Sequence, residues 1–170
     1  MRYPQLVVYE TDRRLVTWLR EAVDVPALLK FDAEGRPTNS LKAHGASPPT
    51  RSDGIPRASW LVHEPRQPAA CLRLLEKGGP TVVIIQLTAK PAAELELLER
   101  VARYHPRAMS VVVGDESHRS LVPLAWDLGA TAVLLPPRVG ERMQEIVLGL
   151  MQSIMAQASD VSDGSVTDEG

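Results

Sequence analysis

Between Pro80 and Arg138 the apolar residues switch spacing again and again, and the switches mark out elements. Thr81-Val82-Val83-Ile84-Ile85-Gln86-Leu87 is a nearly unbroken β-branched run, which predicts a short strand buried on both faces. From Pro91 to Tyr104 the spacing becomes helical, with Leu95, Leu98, Val101 and Ala102 on the inward side. Glu94, Glu96, Glu99, Arg100 and Arg103 fall on the outward side, as an amphipathic helix requires. Ser110–Val113 and Ala132–Leu135 predict two further buried strands. Strands alternating with helices at this pace imply a parallel sheet with right-handed crossovers.

The same alternation extends both ways. Leu6–Tyr9 predicts a first strand, followed by a helix that Thr11 or Asp12 caps. Leu15, Val16, Leu19, Ala22 and Val23 form that helix's buried stripe, and Trp18 covers its edge. Trp60–His63 is less uniformly apolar and predicts a strand near the sheet's edge. Gln67–Lys77 reads as a helix with Ala70, Cys71, Leu74 and Leu75 inward, ended by Gly78-Gly79. A helix before the last strand has Ser117 or Ser120 as cap; with Ser120, Pro123 falls in the first turn, where proline is tolerated. It runs to Leu128 and ends at Gly129.

The last helix, from Gly140 to about Ala158, carries two stripes. Met143, Ile146, Val147, Leu150 and Ile154 make one, enough to cover a sheet. Leu148, Met151 and Met155 make a second, which is either wider core contact or a partner surface suited to adaptable methionines. Two stretches lack periodicity. About 25–58 is rich in Pro, Gly, Ser and Thr and reads as a flexible insertion, whose cations Lys30, Arg36, Lys42, Arg51 and Arg57 suit an acidic partner if it is more than a solvated loop. Residues 159–170 read as a disordered acidic tail after a single domain spanning 1–158.

Composition narrows the chemistry. With 170 residues, 44% of them hydrophobic, the chain is long enough for one proper core. A net charge of -2 offers no broad basic field for nucleic acid. One cysteine, Cys71, excludes an internal disulfide framework and a multi-cysteine zinc site. No leader peptide and no membrane-length apolar run is read, so a cytoplasmic protein is expected. His44, His63, His105 and His118 are scattered without metal-ligand spacing or a visible nucleophile–base pair, and no glycine-rich phosphate loop is present. The expectation is no enzyme, no metal and no cofactor; His118, after Ser117, is the one arguable site and is read as a surface loop histidine.

Certain segments nonetheless resemble a known family. Pro80–Gln86 followed by Glu94–Arg100 resembles the third strand and helix of the receiver domain of bacterial response regulators. His105–Gly114 is similar to its fourth strand. Gly129-Ala130-Thr131-Ala132-Val133-Leu134-Leu135-Pro136-Pro137 resembles the Gly-Ala run that ends, in the family, with Lys-Pro. Leu6–Leu19 matches the first strand and helix, so the likeness covers Gln5 to Met155 apart from the insertion. It implies a flavodoxin-like fold: a five-stranded parallel doubly wound sheet, order 2-1-3-4-5, with helices on both faces.

Receivers carry a phosphoryl group on an aspartate, and the resemblance implies where each site residue falls. The acidic pair that holds Mg²⁺ becomes Glu10 and Thr11. The aspartate becomes Gln86, the hydroxyl residue Gly114 and the lysine Pro136, while the switching aromatic becomes Val133. A glutamine amide cannot form an acyl phosphate, and Glu10 alone offers Mg²⁺ little. Asp12 and Asp115 lie close by, and helix capping by Asp12 and loop solvation by Asp115 are the simpler roles. The reading is a pseudo-receiver in bacterial signal transduction that works by protein–protein contact independently of phosphorylation. In the family the last two helices and fifth strand form the usual partner face, here including Trp126, Leu148, Met151 and Met155. Its partner is another protein or a second copy; no DNA-binding domain and no membrane segment is read. The alternative is a module that binds a small ligand at the carboxyl ends of the strands.

Overall fold

The computed structural model describes residues 4–11, 15, 17, 61–136 and 139–163. Five strands, β1 (Gln5–Tyr9), β2 (Leu61–His63), β3 (Thr81–Gln86), β4 (Met109–Val113) and β5 (Ala132–Leu134), form one sheet. Its order is β2-β1-β3-β4-β5 and every pairing is parallel. This is the doubly wound, flavodoxin-like arrangement expected from the alternating pattern. Val7 lies between His63 and Val83, and Ile85 opposite Val112, so the β-branched runs stack across the centre. The edge strand β2 is half-buried along its length, as its weaker pattern predicts.

Alternate residues feed two cores, one on each face of the sheet. On one face Leu6, Val8, Val82, Ile84, Val111, Val113 and Leu134 meet Leu15 and the last helix, α4 (Val139–Asp163). On the other, Val7, Tyr9, Val83, Ile85 and Val112 meet α1 (Pro68–Glu76), α2 (Ala92–Tyr104) and α3 (Val122–Asp127). Each fully buried Val, Leu or Ile contributes on the order of 1.5–3 kcal/mol through area removed from water.

Three helix faces differ from expectation. In α1 the buried residues are Cys71, Leu72 and Leu75, while Leu74 and Ala70 are only half-buried. In α2 they are Glu94, Leu97, Leu98 and Val101, with Leu95 and Ala102 half-buried. The inward stripe of α2 is thus rotated, and it carries a carboxylate into the first turn, where the helix N-terminus favours negative charge. In α4 Met143, Val147 and Ile154 are buried as expected, but so is Met151. The helix also runs five residues past its predicted end at Ala158, into the expected tail.

The turns follow residue chemistry. Gly78 and Gly79 after α1 have φ of 70° and 119°, which side chains disfavour. Gly129 after α3 has φ 94°, and a Cβ there would lie 2.5 Å from that of Ala102. The segment before β5 begins not at Ser117 or Ser120 but with a 3-10 turn, Glu116–Leu121, that Asp115 caps; α3 then starts at Val122 with Pro123 in its first turn. The expected insertion at 25–58, Asp12, Trp18, Trp60, most of the first helix and residues 164–170 lie outside the described residues.

Candidate functional site

In an open parallel sheet the loops after the strands meet at one end, and that is where ligands and reacting groups gather. The structure places all five positions implied by the resemblance there. Glu10 follows β1 and is buried, its carboxylate accepting the Leu15 backbone N–H at 2.7 Å. That bond anchors the start of the following helical segment. Thr11 beside it is exposed. On the adjacent strand Gln86 ends β3, half-buried, with its Oε1 enclosed and lacking a hydrogen-bond partner among the described residues. Gly114 follows β4 and donates its N–H to the Leu134 carbonyl at 3.0 Å. Pro136 sits in the turn after β5 and is half-buried.

Sequence reasoning misplaced one neighbour, His118, and missed the capping role of another, Asp115. His118 is not a surface loop residue: it is 4% exposed, with both ring nitrogens engaged. Its Nε2 lies 2.8 Å from the Thr88 carbonyl oxygen, which only accepts, so Nε2 carries a proton. Its Nδ1 accepts the Asp115 backbone N–H at 3.1 Å and lies 2.9 Å from Asp115 Oδ1. The neutral ring uses the first contact, and a charged ring donates to the second. Asp115 is solvated, as expected, and is also a cap, its Oδ1 accepting the Ser117 N–H at 2.9 Å. The Ser117 hydroxyl bonded to the Asp115 carboxyl holds it below the ordinary carboxylate range, with the Ser117 N–H and His118 assisting. The signal was in the sequence as Asp115-x-x-His118, the spacing of a reciprocal capping box with histidine in place of Glu or Gln.

This glycine and histidine fit together. A Cβ on Gly114 would lie 3.1 Å from His118 Cβ, 3.2 Å from its Nδ1 and 3.0 Å from Leu135 Cδ2. The absence of a side chain at 114 is what leaves room for the imidazole.

The chemistry available is limited. Glu10 is the single acidic residue among the five positions, and among the described residues no three His, Cys, Asp or Glu side chains converge to hold a metal ion. Cys71 is buried in the α1 core, where burial pushes its thiol up to about 12, so it is a poor nucleophile. Of the expected partner-face residues, Trp126 is 49% and Leu148 36% exposed, and Leu124 at 43% joins Trp126 on α3. Met151 does not belong with them, being 6% exposed within the core, because α4 needs a broad apolar face to cover β3, β4 and β5. The Met155 side chain lies outside the described residues. No described helix is long and apolar enough to cross a membrane.

A comparison with protein-family models gives no match, and neither does one with curated proteins. Solved structures do match. The signal receiver domain of a putative LuxO repressor protein from Vibrio parahaemolyticus aligns with TM-score 0.60 at 11% identity, covering 96% of this chain and 99% of that one. The CheY-like receiver domain protein from Methanospirillum hungatei aligns with TM-score 0.58 at 12% identity, covering 92% and 99%. NtrX from Brucella abortus aligns with TM-score 0.57 at 15% identity over all of this chain, which spans only 31% of NtrX. At these identities the likeness is one of fold: the chain has the architecture of response regulator receiver domains.

Proposed function

We propose that this chain is a receiver-like module of two-component signalling that takes no phosphoryl group and acts through protein contact. The observation that carries the reading is the amide of Gln86 at the end of β3, where the resemblance implies an acceptor carboxylate. Its neighbours agree with it: Gly114 has no hydroxyl and is packed beneath His118, and Pro136 has no ammonium. With the chemistry at the strand ends gone, the exposed apolar residues flanking β5 are the feature that remains for recognition. Leu124 and Trp126 on α3, with Leu148 on α4, are large side chains left in water that a partner or second copy would cover.

Two measurements test this. Incubation with acetyl phosphate and Mg²⁺, followed by intact mass, is expected to give no phosphoryl adduct; an adduct would overturn the phosphorylation-independent part. Sedimentation of the wild type against Trp126→Glu and Leu148→Glu, with capture from lysate as the heterologous arm, tests contact. Loss of self-association or of a captured partner in those variants is the expected result, and assembly unchanged in both would sink it.

One observation favours a second reading. The enclosed Gln86 Oε1 has no donor among the described residues, and a small ligand bearing an N–H or O–H group would satisfy it. Thermal stabilisation in a metabolite screen, abolished by Gln86→Leu, would establish that alternative.

A further inference from the structure

β3 and β4 remain paired one residue past β3, where the Leu87 N–H donates to the Val113 carbonyl at 2.8 Å. Beyond that bond the chains part, β3 into the Thr88–Pro91 loop and β4 into the Asp115 cap. The His118 ring spans the gap. One nitrogen holds the Thr88 carbonyl, thirty residues away in sequence, and the other holds the backbone of Asp115. His118 itself is 4% exposed, and its bonds to the Thr88 carbonyl and the Asp115 N–H are part-buried.

We propose that His118 is a built-in latch: seated in the room that Gly114 leaves, its imidazole ties the loop after β3 to the loop after β4 and fixes that end of the sheet by a bond internal to the chain. The 3-10 turn that carries His118 leads directly into α3, so the latch also sets where α3 begins. Two residues are matched here. A Cβ at 114 would crowd the ring at 3.1–3.2 Å and press it out of its seat, and loss of the ring removes the Thr88 carbonyl's bond to it. The latch stands apart from the interaction reading, since it concerns how two loops are joined and not what binds α3.

The test is by NMR relaxation on the full chain. His118→Phe keeps a planar ring and removes both nitrogens. Amide order parameters at Ala89 and Lys90 are expected to fall from about 0.85, the rigid range, to below about 0.6 in this variant, while Val83–Ile85 stay rigid. Order parameters unchanged at Ala89 and Lys90 would mean that His118 caps only its own turn, and the latch would be wrong. Should His118→Phe fail to fold, the wild-type imidazole decides: ¹⁵N spectra of the neutral ring are expected to show the single tautomer with the proton on Nε2. An averaged mixture of tautomers, as in free imidazole, would overturn the proposal. Gly114→Ala is expected to convert the first pattern into the second, and a His118 spectrum unmoved by that substitution would equally refute the pairing.

Discussion

The two helical segments beside β5 are held in opposite ways. α4 is 25 residues long and is fixed by its side, with Met143, Val147, Met151 and Ile154 pressed into one core. α3 has six residues and buries only Ala125 of them, while Leu124 and Trp126 stand in water. It is fixed by its ends instead, by the His118-bearing turn before it and by Gly129 after it. A long stripe tolerates loss of any local device. A short helix without a stripe depends on its fixtures, and its side chains are left free for other uses.

Substitutions can break this comparison, and Met151→Glu has the largest expected effect. It places a carboxylate in the α4 core and is expected to cost about 3–5 kcal/mol, much of the stability of a small domain. A midpoint of chemical denaturation close to the wild type's would show that Met151 faces water after all. Gly129→Ala attacks the far end fixture of α3 and is expected to cost about 1–3 kcal/mol, because φ 94° disfavours a side chain and the new methyl meets Ala102.

The effects then become small and change sign. Gly149 lies inside α4 with no atom of the described residues within 4 Å of where its Cβ would be. Gly149→Ala is therefore expected to stabilise by about 0.5–1 kcal/mol, read as a raised melting temperature. Smallest are Trp126→Glu and Leu148→Glu, expected to shift stability by no more than about 0.5 kcal/mol in the free chain. A large loss in either would place that residue in the core and remove it from any partner face.

The sheet was legible because uninterrupted β-branched runs such as Val82–Ile85 have few other ways to be buried. Helix faces were less so. A stripe can be drawn through Leu95, Leu98, Val101 and Ala102 or through Glu94, Leu97, Leu98 and Val101, and only the crossing geometry on the sheet selects the second. Met151 was open between wider core contact and a partner surface for the same reason, and the structure selects the core, since a stripe's width depends on how many strands it must cover. The reading of Gln86 as the acceptor position came from resemblance alone; the fold shows that Gln86 ends β3. His118 was misjudged because half of its explanation, Thr88, is remote in sequence and the other half, the vacancy at Gly114, is a missing atom group.

Cys71 gives the protein a clock. The thiol is wholly enclosed by α1 and its sheet and is held protonated to about 12, so a thiol reagent must wait for that region to open. As the chain's single cysteine, it yields one unambiguous signal with no engineering. When labelling outpaces reclosure, the signal's time constant is the lifetime of the α1 core itself.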